Sequence, residues 1–81
     1  LEANKGRPFF LYLPVTVPHV AVQVPEDSLA EYRGKLGDDP AYSGFINGRP
    51  SYRPHPAPHA AYAGMVSRLD RTVGRVLDRL T

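Results

Sequence analysis

The apolar positions of this chain form two blocks of different period, separated by a long stretch with no period at all. The first block is Pro8-Phe9-Phe10-Leu11-Tyr12-Leu13-Pro14, in which five aromatic or aliphatic residues run without a polar interruption. A strand with one wet face would alternate apolar and polar positions. An unbroken run closed by proline at each end instead predicts a short strand over about 8–14, buried on both faces. Pro14 cannot donate to a ladder, and Pro18 holds Val17 extended. The chain is therefore expected to leave the sheet as a stiff loop that carries His19 just past the strand's carboxyl end. In open α/β sheets that end is where ligands bind.

The second block is helical. Tyr62, Met65, Val66, Leu69, Val73, Val76, Leu77 and Leu80 recur at spacings of three and four. At about 100° per residue they share one broad stripe, which predicts an amphipathic helix over about 60–80. Arg68, Arg71, Arg75 and Arg79 fall on a separate stripe and read as a wet face. Gly74 costs roughly 1 kcal/mol against alanine inside a helix, which points to close approach of another backbone there.

Between and before these blocks the signals are local. Residues 1–6 are polar with strong helix formers, and Gly6 suits a cap, so they read as the last turn of a helix. Residues 20–24 alternate weakly around Gln23. Pro25-Glu26-Asp27 places a proline and two acids where a helix begins and predicts a short helix over about 25–33, with Leu29 and Tyr32 on one face. Arg33, Gly34 and Lys35 suit its end. Residues 36–58 carry turn signals and no sustained period, and read as one long loop with a brief hairpin at Asn47-Gly48. A loop of about 20 residues in a compact domain is usually a binding loop, a lid or a disordered segment.

One doubly buried strand, one strong helix and a long connection make an incomplete βαβ unit, because the second strand is missing. The expected class is α/β, with residues 1–81 a partial domain cut before its next strand. Composition agrees. The chain has nine prolines, seven glycines and no cysteine, so it lacks the disulfides that commonly support a small domain. A formal charge of +2 is too mild to imply a nucleic-acid partner. No apolar run approaches the roughly 18 residues of a membrane span, and no basic-then-apolar signal segment opens the chain.

Candidate chemistry is sparse. His19, on a proline-stiffened loop, could donate a ring hydrogen to an anionic oxygen; the alternative is an exposed or structurally satisfied histidine. His55 and His59 have the spacing of paired metal ligands on a helix, but Pro56 and Pro58 keep that backbone extended and the pair off one helical face. Asp38 and Asp39 supply too few oxygens for calcium and read as a solvated turn. Asp70 reads as a buried, hydrogen-bonded structural acid. Tyr42, Phe45, Tyr52 and Arg53 either face a substrate or tie the long loop down.

Residues 7–34, with Pro-Phe-Phe-Leu-Tyr-Leu-Pro, then Pro18-His19, then Gln23-Val24-Pro25-Glu26 and Tyr32-Arg33-Gly34, resemble sulfatases. Residues 62–77, Tyr-Ala-Gly-Met-Val-Ser-Arg-Leu-Asp-Arg-Thr-Val-Gly-Arg-Val-Leu, are similar to the helix that precedes the metal-binding strand of that family. The resemblance implies a piece of an alkaline-phosphatase-like α/β sandwich from an enzyme that hydrolyses sulfate esters. His19 would bind substrate at the ester or leaving-group oxygen. It also implies a formylglycine and a divalent cation, usually Ca2+, whose residues lie outside this chain. No catalytic or metal-ligating residue is assigned within it. Ser51 and Ser67 lack the spacing of the family's Cys/Ser-x-Pro/Ala-x-Arg motif. The isolated segment is thus expected to be inactive and to need the remainder of the parent domain. The alternatives are a phosphonate or phosphodiester hydrolase of the same superfamily, or a basic interaction module without catalysis.

Overall fold

The structure, a computed structural model, describes residues 1–19 and 22–81. After a single 3-10 turn at Glu2–Asn4, which ends at Lys5 rather than at Gly6, come helix α1 (Glu26–Ala30), strands β1 (Phe45–Ile46) and β2 (Arg49–Pro50), and helix α2 (Pro58–Leu80). This small mixture of helices and two strands is compatible with part of an α/β fold.

The strand expected over 8–14 does not form. Among the described residues the one ladder is the antiparallel pair β1–β2, and 8–14 joins no sheet. Phe10 is 90% exposed and Tyr12 77%. The physical reason is a lack of partners, because a strand buried on both faces needs neighbours for its backbone groups and layers over its side chains. The same shortage shows in the dimensions. The radius of gyration is 16.8 Å, against about 12 Å for a compact chain of this length. The accessible surface is 6353 Å², against the roughly 4,800 Å² that the mass of a folded monomer would give.

Where the chain does pack, it packs α1 on the first half of α2. Leu29, Ala60, Ala61 and Met65 are buried, with Val22, Val24, Tyr32 and Ala57 around Leu29, Ala60 and Ala61. Full burial of one leucine contributes about 1.5–3 kcal/mol, so this core is small. Its closest approach is at Gly64, where a Cβ would lie 2.8 Å from the carbonyl oxygen of Ser28. Ser28 is fully buried, and its hydroxyl accepts a hydrogen bond from Arg68 Nη1 at 3.0 Å. The tight glycine is thus Gly64 and not Gly74, around which a Cβ would meet nothing within 4 Å. The expected stripe of α2 is covered only at its start, since Val66, Val73, Leu77 and Leu80 are exposed. Asp70, expected buried, is exposed as well.

The arginine stripe is not simply wet. Arg68 approaches Asp27 at 3.7 Å, Arg71 pairs with Glu31, and Arg79 pairs with Glu2 at 3.0 Å. Exposed pairs of this kind contribute about 0–1 kcal/mol each, so they orient the elements more than they hold them.

In the long loop, β1 and β2 are joined by Asn47 and Gly48 with φ of 52° and 76°. Two successive positive φ values make the type I′ turn that an Asn-Gly pair favours. Replacing Gly64 by alanine is expected to lower stability by roughly 1–3 kcal/mol, because a backbone oxygen must move. Replacing Gly74 by alanine is expected to raise it by up to about 1 kcal/mol. Thermal denaturation of the two variants checks the contrast.

Candidate functional site

The first turn of α2 has backbone donors and no local cap. Ala57, at the N-cap, offers no side-chain oxygen, and Pro58 at the first helical position has no N–H. The donors of His59 and Ala60 are satisfied from 20 residues upstream. Asp39 Oδ1 accepts the His59 N–H at 2.7 Å, and Oδ2 accepts the Ala60 N–H at 2.9 Å. The His59 ring completes the clamp, with Nδ1 donating to the Asp38 carbonyl at 3.2 Å. Asp39 is therefore a remote helix cap and not the solvated turn expected. Capping preferences are read from neighbouring residues, so nothing adjacent to α2 in the sequence signals it.

A second tie closes the loop. Tyr42 and His55 form an antiparallel bridge, with Tyr42 N–H donating to His55 O at 2.8 Å and His55 N–H to Tyr42 O at 2.9 Å. The His55 ring turns to its own backbone, Nδ1 accepting the Ala57 N–H at 2.9 Å. His55 and His59 accordingly take separate structural bonds and do not converge.

Clamp and bridge together fold the loop around a cavity of about 560 Å³ at the start of α2, walled by Tyr42, Ile46, Tyr52, Arg53, Pro58 and His59 among others. Of the four loop residues with two open readings, Tyr42, Tyr52 and Arg53 meet here, and Phe45 does not. The Tyr42 hydroxyl is buried and has no hydrogen-bond partner. Val22 lines the same cavity, and His19, three residues earlier, is exposed beyond the turn at Val17 and Pro18. Three extended residues reach at most about 11 Å, so His19 lies near this cavity.

Among the described residues, no three His, Cys, Asp or Glu side chains group so as to hold a metal ion. The divalent cation implied by the sequence resemblance does not fit onto this segment. The chain contains no cysteine, and neither Ser51 nor Ser67 has the spacing for formylglycine. Among the described residues no helix is long and apolar enough to cross a membrane.

The Asp39 carboxyl is perturbed. Burial works to raise its pKa, with the side chain 14% exposed. The backbone donors of Ala60 and His59, then the His59 and His55 imidazoles, outweigh burial and hold it below its ordinary value. Its stabilising contribution is thus complete above the ordinary carboxyl pKa of about 3.9 and is lost as the pH falls through the lowered native value. In an acid titration followed by amide hydrogen exchange, the Ala60 amide should stay protected at and somewhat below about pH 3.9, and open only as the pH falls through the lowered native value. Loss of protection at higher pH would contradict this, and Asp39→Asn should weaken the protection at every pH.

No protein-family profile matches the chain, and no solved structure matches it. Curated relatives do match it. A protein named sulfatase from Formosa agariphila is 36% identical over 79 residues, a match that spans 98% of this chain and 12% of the relative. An uncharacterized sulfatase of Schizosaccharomyces pombe is 40% identical over 37 residues, spanning 46% of this chain and 7% of the relative. The chain covers only a small part of either relative's length. The chain is thus similar to short stretches of two proteins named sulfatase, at 36% and 40% identity.

Proposed function

We propose that residues 1–81 are an internal segment of a sulfatase catalytic domain with the alkaline-phosphatase-like α/β fold, and that the parent protein hydrolyses sulfate esters. The observation that carries this is the 36% identity to a sulfatase over 98% of the chain. The uncovered surfaces are consistent with it. Phe9 to Leu13, and Val73, Leu77 and Leu80 of α2, are large apolar side chains left exposed. In the parent, 8–14 would find the flanking strands it lacks here, and the second half of α2 would find its cover.

Within that domain His19 is the substrate-binding residue of this segment. Its ring donates a hydrogen bond to the ester or leaving-group oxygen, where negative charge builds as the S–O bond breaks. A fixed donor aimed at developing charge is worth about 10²–10³ in turnover. The formylglycine and cation belong to other parts of the parent, and this segment contributes binding and positioning only.

Two experiments test this. His19→Ala in the full-length protein is expected to lower the turnover of an aryl sulfate by about a hundredfold. Unchanged turnover removes the assigned role. Separately, the 81-residue chain alone is expected to show no cooperative thermal transition. A sharp transition would favour the free-standing, non-catalytic module.

A further inference from the structure

The tip of the β1–β2 hairpin carries a pair of residues whose chemistry the hydrolysis does not use. Asn-Gly occurs once in the chain, at Asn47-Gly48, and both residues are exposed. The carboxamide carbon of an asparagine can close a five-membered ring with the backbone nitrogen of the next residue, and a side chain on that residue hinders the approach. Gly48 has no side chain, and a Cβ built there would meet nothing within 4 Å, so the fold does not cover the approach either. The other asparagine, Asn4, is followed by Lys5, whose side chain crowds the same path.

The turn that holds this pair is weakly closed. Asn47 and Gly48 have φ of 52° and 76°. A planar five-membered ring does not fit a closed turn of that kind, so ring closure needs the turn to open. Each strand has two residues and all four are exposed. Pro50, opposite Phe45, has no N–H to give the ladder. Beyond it, the Ser51 N–H donates to Gly44 O at 2.8 Å. A two-stranded hairpin is marginal in water, and one with exposed strands opens locally well before the chain unfolds globally. The turn therefore slows ring closure without preventing it.

We infer that Asn47 is a self-modification site, at which the asparagine converts to isoaspartate and aspartate through a cyclic imide. The Gly48 nitrogen attacks Asn47 Cγ, and the side-chain amide leaves as ammonia with the proton of the Gly48 N–H. Water then opens the imide, with no change of oxidation state. Attack at the Asn47 main-chain carbonyl gives isoaspartate, in which the backbone runs through Cγ; attack at Cγ gives aspartate. Both products place a carboxylate beside Arg49, and isoaspartate adds a methylene to a turn closed by two residues. Ile46, next to Asn47, is a wall of the cavity at the start of α2, so the change reaches that cavity. Nothing in this chemistry depends on the sulfatase assignment.

The test incubates the full-length protein, folded and in denaturant, at neutral and at mildly alkaline pH. Its peptides are then mapped by mass spectrometry with a fragmentation that tells isoaspartate from aspartate. At Asn47 of the folded protein the mass should rise by the difference between oxygen and NH, with isoaspartate the larger product. Conversion there should be several-fold faster than at Asn4, and faster still at the higher pH, where more of the Gly48 nitrogen is deprotonated. Denaturant should accelerate it, because the turn is then gone. Asn47→Gln, which would need a six-membered ring, should stay unchanged over the same time. In the isoaspartyl form the Ser51 amide should lose its protection from hydrogen exchange. No conversion at Asn47 in the folded protein overturns the inference, whether or not the denatured protein converts, and so does conversion no faster than at Asn4.

Discussion

Contact between the Ser28 carbonyl and the bare backbone at Gly64 sets what little tertiary order this chain has. A helix of five residues does not persist alone in water, so α1 exists because it lies against α2. It can lie that close only where α2 carries no Cβ, since one at Gly64 would fall 2.8 Å from the Ser28 oxygen. The approach buries Leu29 against Ala60 and Ala61 and sets Ser28 under Arg68. It also brings Asp27 and Glu31 opposite Arg68 and Arg71. Small residues on both sides of the crossing leave little apolar volume, which is why the core is compact but slight.

The long loop is ordered by a different force. Its apolar residues are mostly exposed, and it is held by hydrogen bonds at two places, the Asp39 carboxylate on the first turn of α2 and the bridge between Tyr42 and His55. A carboxylate at a helix N-terminus satisfies orphan donors and meets the positive end of the helix dipole. The loop thereby becomes a wall, and Tyr42, Tyr52 and Arg53 come to face one space with the helix start. Packing places α1, and polar capping places the cavity.

These two regions account for the ordered part of the chain; the remainder is unsatisfied surface. The run 8–14 has the composition of an interior strand and the exposure of a surface one. Such a mismatch between pattern and burial is expected where neighbouring strands and layers are not part of the chain.

Much of the local structure was legible in the sequence, and for clear reasons. The spacing of Tyr62 through Leu80 encodes a helix whether or not its stripe is covered, and α2 runs from Pro58 to Leu80. Asn47-Gly48 encodes a tight turn, because few other pairs accept two positive φ values. The proline and acids at 25–27 mark where α1 starts. Burial was not legible in the same way. Phe9 to Leu13 pattern as interior but face solvent, and Asp70 and Gly74 are likewise not enclosed by the described residues. Nor could the sequence reveal that Asp39 caps a helix 20 residues on, that Gly64 is the crossing point, or that Tyr42, Tyr52 and Arg53 share a cavity. Local pattern determines backbone conformation, since φ, ψ and helical period depend on near neighbours. Contacts between residues far apart in the chain depend on how the elements come together, and only the tertiary structure decides them.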